Sequence, residues 1–387
     1  MKRSGSSSIV REVMMDFAER TGLVYSGKTP RRYLWTDAFA VCNFLELFRQ
    51  THDETCRDLA LRLVDQVHHV LGRHRDDDTR TGWISGLGEE EGERHPTAGG
   101  LRIGKTVNER GPDEPSDERL EWDRDGQYYH YLTKWMHALN RVSRVTGDPA
   151  YAGWGIELAR TAHHRFTHVP PWENRKRIYW KMSIDLSRPL VHSMGQHDPL
   201  DGLVTYGELQ ATAAAFGLAG LDTEIADMAE MCRGKSWATG DPLGIGGLLF
   251  DAWRMAQLIG RGTVGYANLL EEVLDAALRG LESFAEYNPL GLPAGQRLAF
   301  RELGLSIGLK AAGKMQDWLG NDAGFSGRKG SLRQRIEALM GNVPLGETIE
   351  SFWMERENRE AASWKEHREI NMVMLATSLA PDGFLTI

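Results

Sequence analysis

Apolar positions recur along this chain in two alternating styles. From Ala38 to Phe48 nearly every residue is apolar, Asn43 and Glu46 excepted, so the helix predicted over Arg32 to Phe48 is buried on all sides. The next, Asp53 to Leu71, carries one stripe (Leu59, Leu63, Val67, Val70) with charge opposite, the mark of a half-buried helix. The pairing repeats. Fully apolar helices are predicted over Gln127 to Val145, Tyr206 to Gly220, Gly244 to Ile259, Arg297 to Ala312 and Arg359 to Leu379. Between them fall the half-buried Tyr151 to His164, Thr223 to Cys232, Leu269 to Phe284 and Leu332 to Met340. Ser8 to Arg20, stopped near Gly22, supplies the remaining outer partner. Helices alternating between inner and outer in this way predict an all-α (α/α)6 toroid, with residues 1–387 as one domain. Strand patterning is confined to short stretches, Arg177 to Asp185 and Leu101 to Val107, both expected as hairpins in loops. No sequence repeat stands at a fixed period, so the repetition is architectural.

Two connections are longer than packing requires. Arg75 to Asp125 and Val169 to Val204 run to about fifty and about thirty-five residues, where compact domains rarely need more than roughly 15. Both lead into inner helices and so belong to the same mouth of the toroid. They carry Trp83, Trp122, Trp172 and Trp180 among Asp, Glu, His and Arg, and the lead-in to the first inner helix adds Trp35 and Asp37. An aromatic face stacks on the C–H face of a pyranose while charged side chains bind its hydroxyls. The predicted ligand is therefore a small saccharide, with Trp35, Asp37, Trp83, Trp122, Tyr129, His130 and Trp180 as its binding residues.

Composition narrows the partners. The net charge of −8 and short, local basic clusters exclude a phosphate-backbone partner such as nucleic acid. The start, MKRSGSSS, has no apolar run behind it and no stretch reaches the length of a membrane span, so a cytoplasmic protein with no membrane partner is expected. Cys42, Cys56 and Cys232 lack metal-type spacing and read as reduced core thiols. No metal and no cofactor is expected. The oligomeric state stays open, a homo-oligomer included.

The richest stretch is Leu120 to Arg144, LEWDRDGQYYHYLTKWMHALNRVSR, with Glu121, Asp123 and Asp125 ahead of an aromatic helix. Together with LWTDAFAV at the first inner helix and the turn His197 to Leu200, it resembles the six-hairpin glycosidase-like superfamily. That superfamily includes unsaturated glucuronyl hydrolases and N-acylglucosamine 2-epimerases. The resemblance implies a site at the inner-helix mouth and action on a saccharide without a redox cofactor.

Two chemistries follow. Glycoside hydrolysis needs two carboxyls flanking one bond, one protonated and one ionised. The pair expected here takes one acid from Asp123 or Asp125 and one from Asp198 or Asp201. In the expected assignment the first donates the proton and the second activates water. Asp37, Glu302, Glu355, Glu357 and Glu360 stand in reserve. The competing structural readings are N-capping for Asp123 and Asp125, and turn formation for Asp198 before Pro199. The alternative is a sugar 2-epimerase with a histidine pair, drawn from His130, His192 and His197 with His367 opposite. A non-catalytic saccharide-binding protein is the third reading. Asp76 to Asp78 lacks the further acid a prenyl-diphosphate site needs. Gly244-Ile245-Gly246-Gly247 has no Lys-Ser/Thr after it and reads as tight helix packing, and Gly324 to Gly330 as a polar turn.

Overall fold

The structure, a computed structural model, describes residues 2–24, 30–115, 117–262, 265–287, 289–319 and 329–387. The glycine turn expected from Gly324 falls mostly outside them. The chain forms two compact units, Ala18–Lys235 and Met1–Phe17 with Ser236–Ile387.

In the first unit three helical hairpins follow one another. They are α2 (Leu34–Thr51) with α3 (Glu54–Leu71), α4 (Tyr129–Thr146) with α5 (Pro149–Phe166), and α6 (Asp198–Phe216) with α7 (Asp222–Cys232), numbered after α1 (Lys2–Arg20). The first member of each is buried all round, as the apolar runs require; α2 is covered at every position from Leu34 to Leu47. The second buries one stripe, such as Cys56, Leu59, Leu63, Val64 and Val67 of α3. Sharp turns need local devices. Asp53 and Asp148 cap α3 and α5 by accepting from Thr55 and Ala150 N–H, and α4 and α6 end on left-handed Gly147 and Gly217. The apolar members α2, α4 and α6 pack side by side.

The long loops of this unit are tied down rather than loose. β1 (Gln127–Tyr128), β4 (Lys181–Met182) and β5 (Pro189–Val191) form a small antiparallel sheet, and β2 (Thr167–His168) pairs with β3 (Arg177–Ile178). The strands expected within Arg177 to Asp185 are present. Leu101 to Val107 differs: it forms no hairpin but runs beside 124–126, with Ile103 N–H on Gly126 C=O at 2.8 Å and a bridge from Val107 to Arg124. Gly126 sits at φ +143°, and a Cβ there would meet the Met182 carbonyl at 2.8 Å, so the strand crossing demands glycine. Asp125 locks the arrangement. Fully buried, it accepts from Arg102 at 2.6 Å, Arg75 at 3.3 Å and Gly104 N–H at 3.0 Å, while Arg102 also donates to Val70 and Arg73 carbonyls.

The second unit holds α8 (Pro242–Gly260), α9 (Ala267–Tyr287), α10 (Ala299–Leu319), α11 (Lys329–Met340), α12 (Val343–Met354) and α13 (Arg368–Leu379), with α1 through Phe17. α8 lies against α10 with backbone nearly touching: a Cβ on Gly246 would collide with the Gly304 carbonyl. The glycines there are packing residues, as the sequence indicated. At the start of α10, Arg297 grips Glu302 at 2.6 and 2.9 Å and stacks 3.7 Å over the Phe352 ring, while Trp353 N–H reaches Glu302 at 2.7 Å. Glu302, a reserve acid, is thereby fully engaged.

Several boundaries differ from expectation: α13 begins at Arg368 rather than Arg359, and α10 runs to Leu319 rather than Ala312. α6 begins at Asp198, not Tyr206, because Pro199 occupies the first turn, where a missing N–H costs nothing. α12 has no counterpart among the helices expected from sequence; Pro344 sits in its first turn, and Gly346 lies against Ser306.

Removing one side of a buried ion pair leaves the other charge stranded. Arg102→Ala is therefore expected to cost about 3–5 kcal/mol, read from urea denaturation midpoints at constant slope.

Candidate active site

The first unit gathers aromatic rings around the start of α4. The register of β1 on β4 sets Tyr128 opposite Lys181, which brings the neighbouring Trp180 alongside. Trp180 lies 5.3 Å from Tyr128 and 4.6 Å, edge to face, from Trp122. His130 stacks on Tyr128 at 5.4 Å, Tyr131 meets Tyr128 edgewise at 5.2 Å, and the Tyr131 and Tyr33 hydroxyls hydrogen-bond at 2.7 Å. Trp122 is 54% exposed, and Trp180, His130, Tyr131 and Tyr33 are half-buried, so the cluster is open to solvent. Lys105 Nζ lies 5.8 Å from the Tyr33 ring centre, and Asp123 is exposed beside Trp122. The field of Asp123 reaches Tyr128, whose hydroxyl is pushed above its usual range mainly by burial.

One turn along α4 from His130 the chemistry becomes ionic. Lys134 Nζ donates to Asp201 Oδ1 at 2.6 Å, and the Thr133 hydroxyl donates to Asp201 Oδ2. All three side chains are buried. Asp198 stands one turn earlier on α6, also buried, its carboxylate accepting from Gly195 N–H at 3.1 Å. Burial, then the nearby Asp201 charge, pushes the Asp198 carboxyl up to about 7. A carboxyl that keeps its proton near neutrality thus stands beside a carboxylate paired with an ammonium. His130 is pushed the other way, to about 4, by burial and then by Lys134. Its imidazole is neutral at pH 7, with a buried Nδ1 that meets no hydrogen-bond partner among the described residues.

The other expected site residues are placed as follows. Asp125 is held in its arginine clamp. Asp37 closes the first turn of α2, accepting from Tyr33 N–H at 3.0 Å with Arg32 at 3.5 Å, and burial raises it to about 6. His197 is half-buried immediately before Asp198, and His192 is exposed with its ring edge-on to Tyr179 at 5.6 Å. Three stacking assignments are corrected, because a ring covered on both faces cannot stack on a sugar. Trp35 is buried against Phe39 at 4.4 Å. Trp83 is sealed under the Arg73 guanidinium, 4.7 Å away, and against Gly92. Tyr129 is wholly buried, its hydroxyl on that of Tyr206 at 2.9 Å. What the sequence reading missed is Lys134, Thr133, Lys105, Tyr33 and Tyr131. Lys134 had a signal: a lysine inside a helix apolar all round needs a buried acid. Among the described residues no cluster of His, Cys, Asp and Glu is arranged to hold a metal, and no helix is long and apolar enough to cross a membrane.

With this geometry the chain resembles several solved enzymes. It is similar to a GH76 alpha-mannanase from Bacteroides thetaiotaomicron (TM-score 0.57, 9% identity), over 99% of this chain and 97% of that one. What they share with it is the all-α (α/α)6 fold. An inactive alpha-1,6-mannanase variant from a Salegentibacter species, in complex with alpha-1,6-mannotriose, is similar at TM-score 0.55 and 11% identity, covering 97% and 99%. A sugar epimerase from a ruminal bacterium gives TM-score 0.51 and 9% identity, covering 98% of each chain. No family model and no curated protein matches the chain. At such identities the likeness is one of fold, shared here by enzymes of two different reactions.

The Asp198 environment has a consequence for stability. Folded, its carboxyl holds a proton up to about pH 7; unfolded, it releases it near 3.8. Between these values the unfolded chain binds fewer protons, so this group lowers stability as pH rises and its penalty is complete above about 7. Asp198→Asn is expected to gain stability relative to the parent across that window and then level off, as thermal melts at stepped pH will show.

Proposed function

We propose that this protein is a carbohydrate-active enzyme, and specifically a glycoside hydrolase whose general acid is Asp198. The observation that carries the reading is the pairing of a buried, protonated Asp198 with the salt-bridged Asp201 one turn on. A carboxyl whose surroundings keep its proton near neutrality is placed to act as a general acid. Lys134 and Thr133 occupy both Asp201 oxygens, so Asp201 serves to keep the proton on Asp198. Asp198 then gives its proton to the glycosidic oxygen. Asp123, exposed beside Trp122, is the carboxylate free to draw a proton from the attacking water. This reverses the assignment expected from sequence, in which Asp123 or Asp125 was the donor. Trp122 and Trp180, with Tyr128 and His130 behind them, form the pyranose platform.

The fold comparison supports the substrate class. The mannotriose-bound relative was inactivated by exchanging two consecutive aspartates. Consecutive aspartates occur in this chain only at Asp76 to Asp78, where Arg75 holds Asp77 and Arg80 holds Asp78. Both are engaged there, so the acid and base proposed here lie elsewhere, at Asp198 and Asp123. A second reading, sugar 2-epimerisation, draws on the neutral ring of His130 among the aromatics. A ring that takes up its proton only near pH 4 is a weak base at neutrality, which favours hydrolysis.

Proton NMR in D2O on disaccharides, uronates and N-acetylhexosamines separates them. New anomeric signals from a released sugar are expected, with Asp198→Asn and Asp123→Asn each lowering turnover by roughly 10²–10⁴. Full turnover in Asp198→Asn refutes the acid assignment. Loss of an H2 signal as an epimer appears refutes hydrolysis in favour of His130 chemistry.

A further inference from the structure

Trp172 is 77% exposed, and its setting is built rather than loose. It sits in the turn Pro170–Glu173, where Glu173 N–H donates to Pro170 C=O at 3.1 Å, at the tip of the β2–β3 hairpin. Both sides of that tip are fastened. Lys176 pairs with Asp227 of α7, which also holds His163 of α5 at 2.9 Å, and Arg175 donates to the Arg233 carbonyl at 3.1 Å. At the hairpin base His168 and Tyr179 stack face to face at 3.7 Å, and Arg177 pairs with Glu173 at 3.1 Å. The basic side chains here, which alone would suggest an anion site, are consumed in holding the tip.

We infer that Trp172 is an accessory stacking contact for a saccharide chain that extends beyond the ring cluster around Trp180. This rests on the carbohydrate reading above and specifies the substrate as an oligo- or polysaccharide. The occupant follows from what surrounds the indole. A protein partner would need a contiguous apolar patch, whereas this ring stands among Glu173, Asn174, Arg175 and Lys176, with exposed Val169 as its apolar neighbour. A single exposed indole in a polar turn suits the C–H face of a pyranose. Proline on its N-terminal side and ion pairs on the other hold the face in place before binding, which lowers the ordering cost. The chain from Trp172 to Trp180 can span at most about 28 Å, the length of an oligosaccharide.

Affinity electrophoresis of the full chain in gels cast with mannan, pullulan, xylan, polygalacturonate or hyaluronan tests it. The parent is expected to be retarded in at least one gel. Trp172→Ala should weaken that binding roughly tenfold, Trp172→Tyr should largely restore it, and Asp198→Asn should bind as the parent does. Retardation unchanged in Trp172→Ala overturns the proposal, as does a parent retarded in none of the gels. Loss of turnover in Asp198→Asn with binding intact keeps the two readings apart, because the acid assignment then stands whether or not Trp172 contributes.

Discussion

Charge kept inside the protein must be matched there, and the contact between α4 and α6 is organised by that demand. Lys134 meets Asp201 at 2.6 Å, His137 meets Glu208 at 2.7 Å, and Arg144 meets the Thr212 hydroxyl at 2.9 Å. The His137 and Glu208 side chains are wholly buried. Pairs spaced by whole helical turns admit one register only, since a slip would strand several charges in a dry interior at several kcal/mol each. Hydrophobic burial alone would allow the two helices to slide. The ionic seam forbids it, and so fixes where Asp198 stands relative to His130.

Much of this fold was legible because the signals were long. A helix apolar on every side, such as Ala38 to Phe48, has few alternatives to full burial, and six such stretches left little freedom in the architecture. Proline in a first helical turn was a weak point: Pro199 looks like a breaker in a string of letters, while in three dimensions it occupies a place where no N–H is needed. Leu101 to Val107 failed for another reason. Its partner is a chain segment some twenty residues away, and nothing local announces a bridge to Arg124.

The site was legible in kind but not in assignment. Aromatics and carboxylates at the inner-helix mouths were visible as composition, and Trp122, Trp180 and His130 do come together. Which carboxyl is free and which is structural depends on partners far along the chain. Asp125 stood level with Asp123 as a candidate acid, but Arg75 and Arg102 hold it; Asp198 stood between acid and turn residue, and its burial beside Asp201 favours the acid. Trp35, Trp83 and Tyr129 were misjudged because sequence reports that a ring exists, not which of its faces is covered.

Glu121 and Asp125 bracket the exposed Trp122 and Asp123. Glu121 is clamped by Arg110 at 2.6 Å and by Lys181 at 3.1 Å, as firmly as Asp125 is by its arginines. Between these anchors Asp123 is exposed, and Trp122 is half uncovered with Trp180 edge to face against it. Frame and fingertip are thus separate parts. Mutations at 122 and 123 can accumulate without loosening the scaffold, so this short span is where the protein can drift to a new ligand, or be redesigned for one, at little risk to its folding.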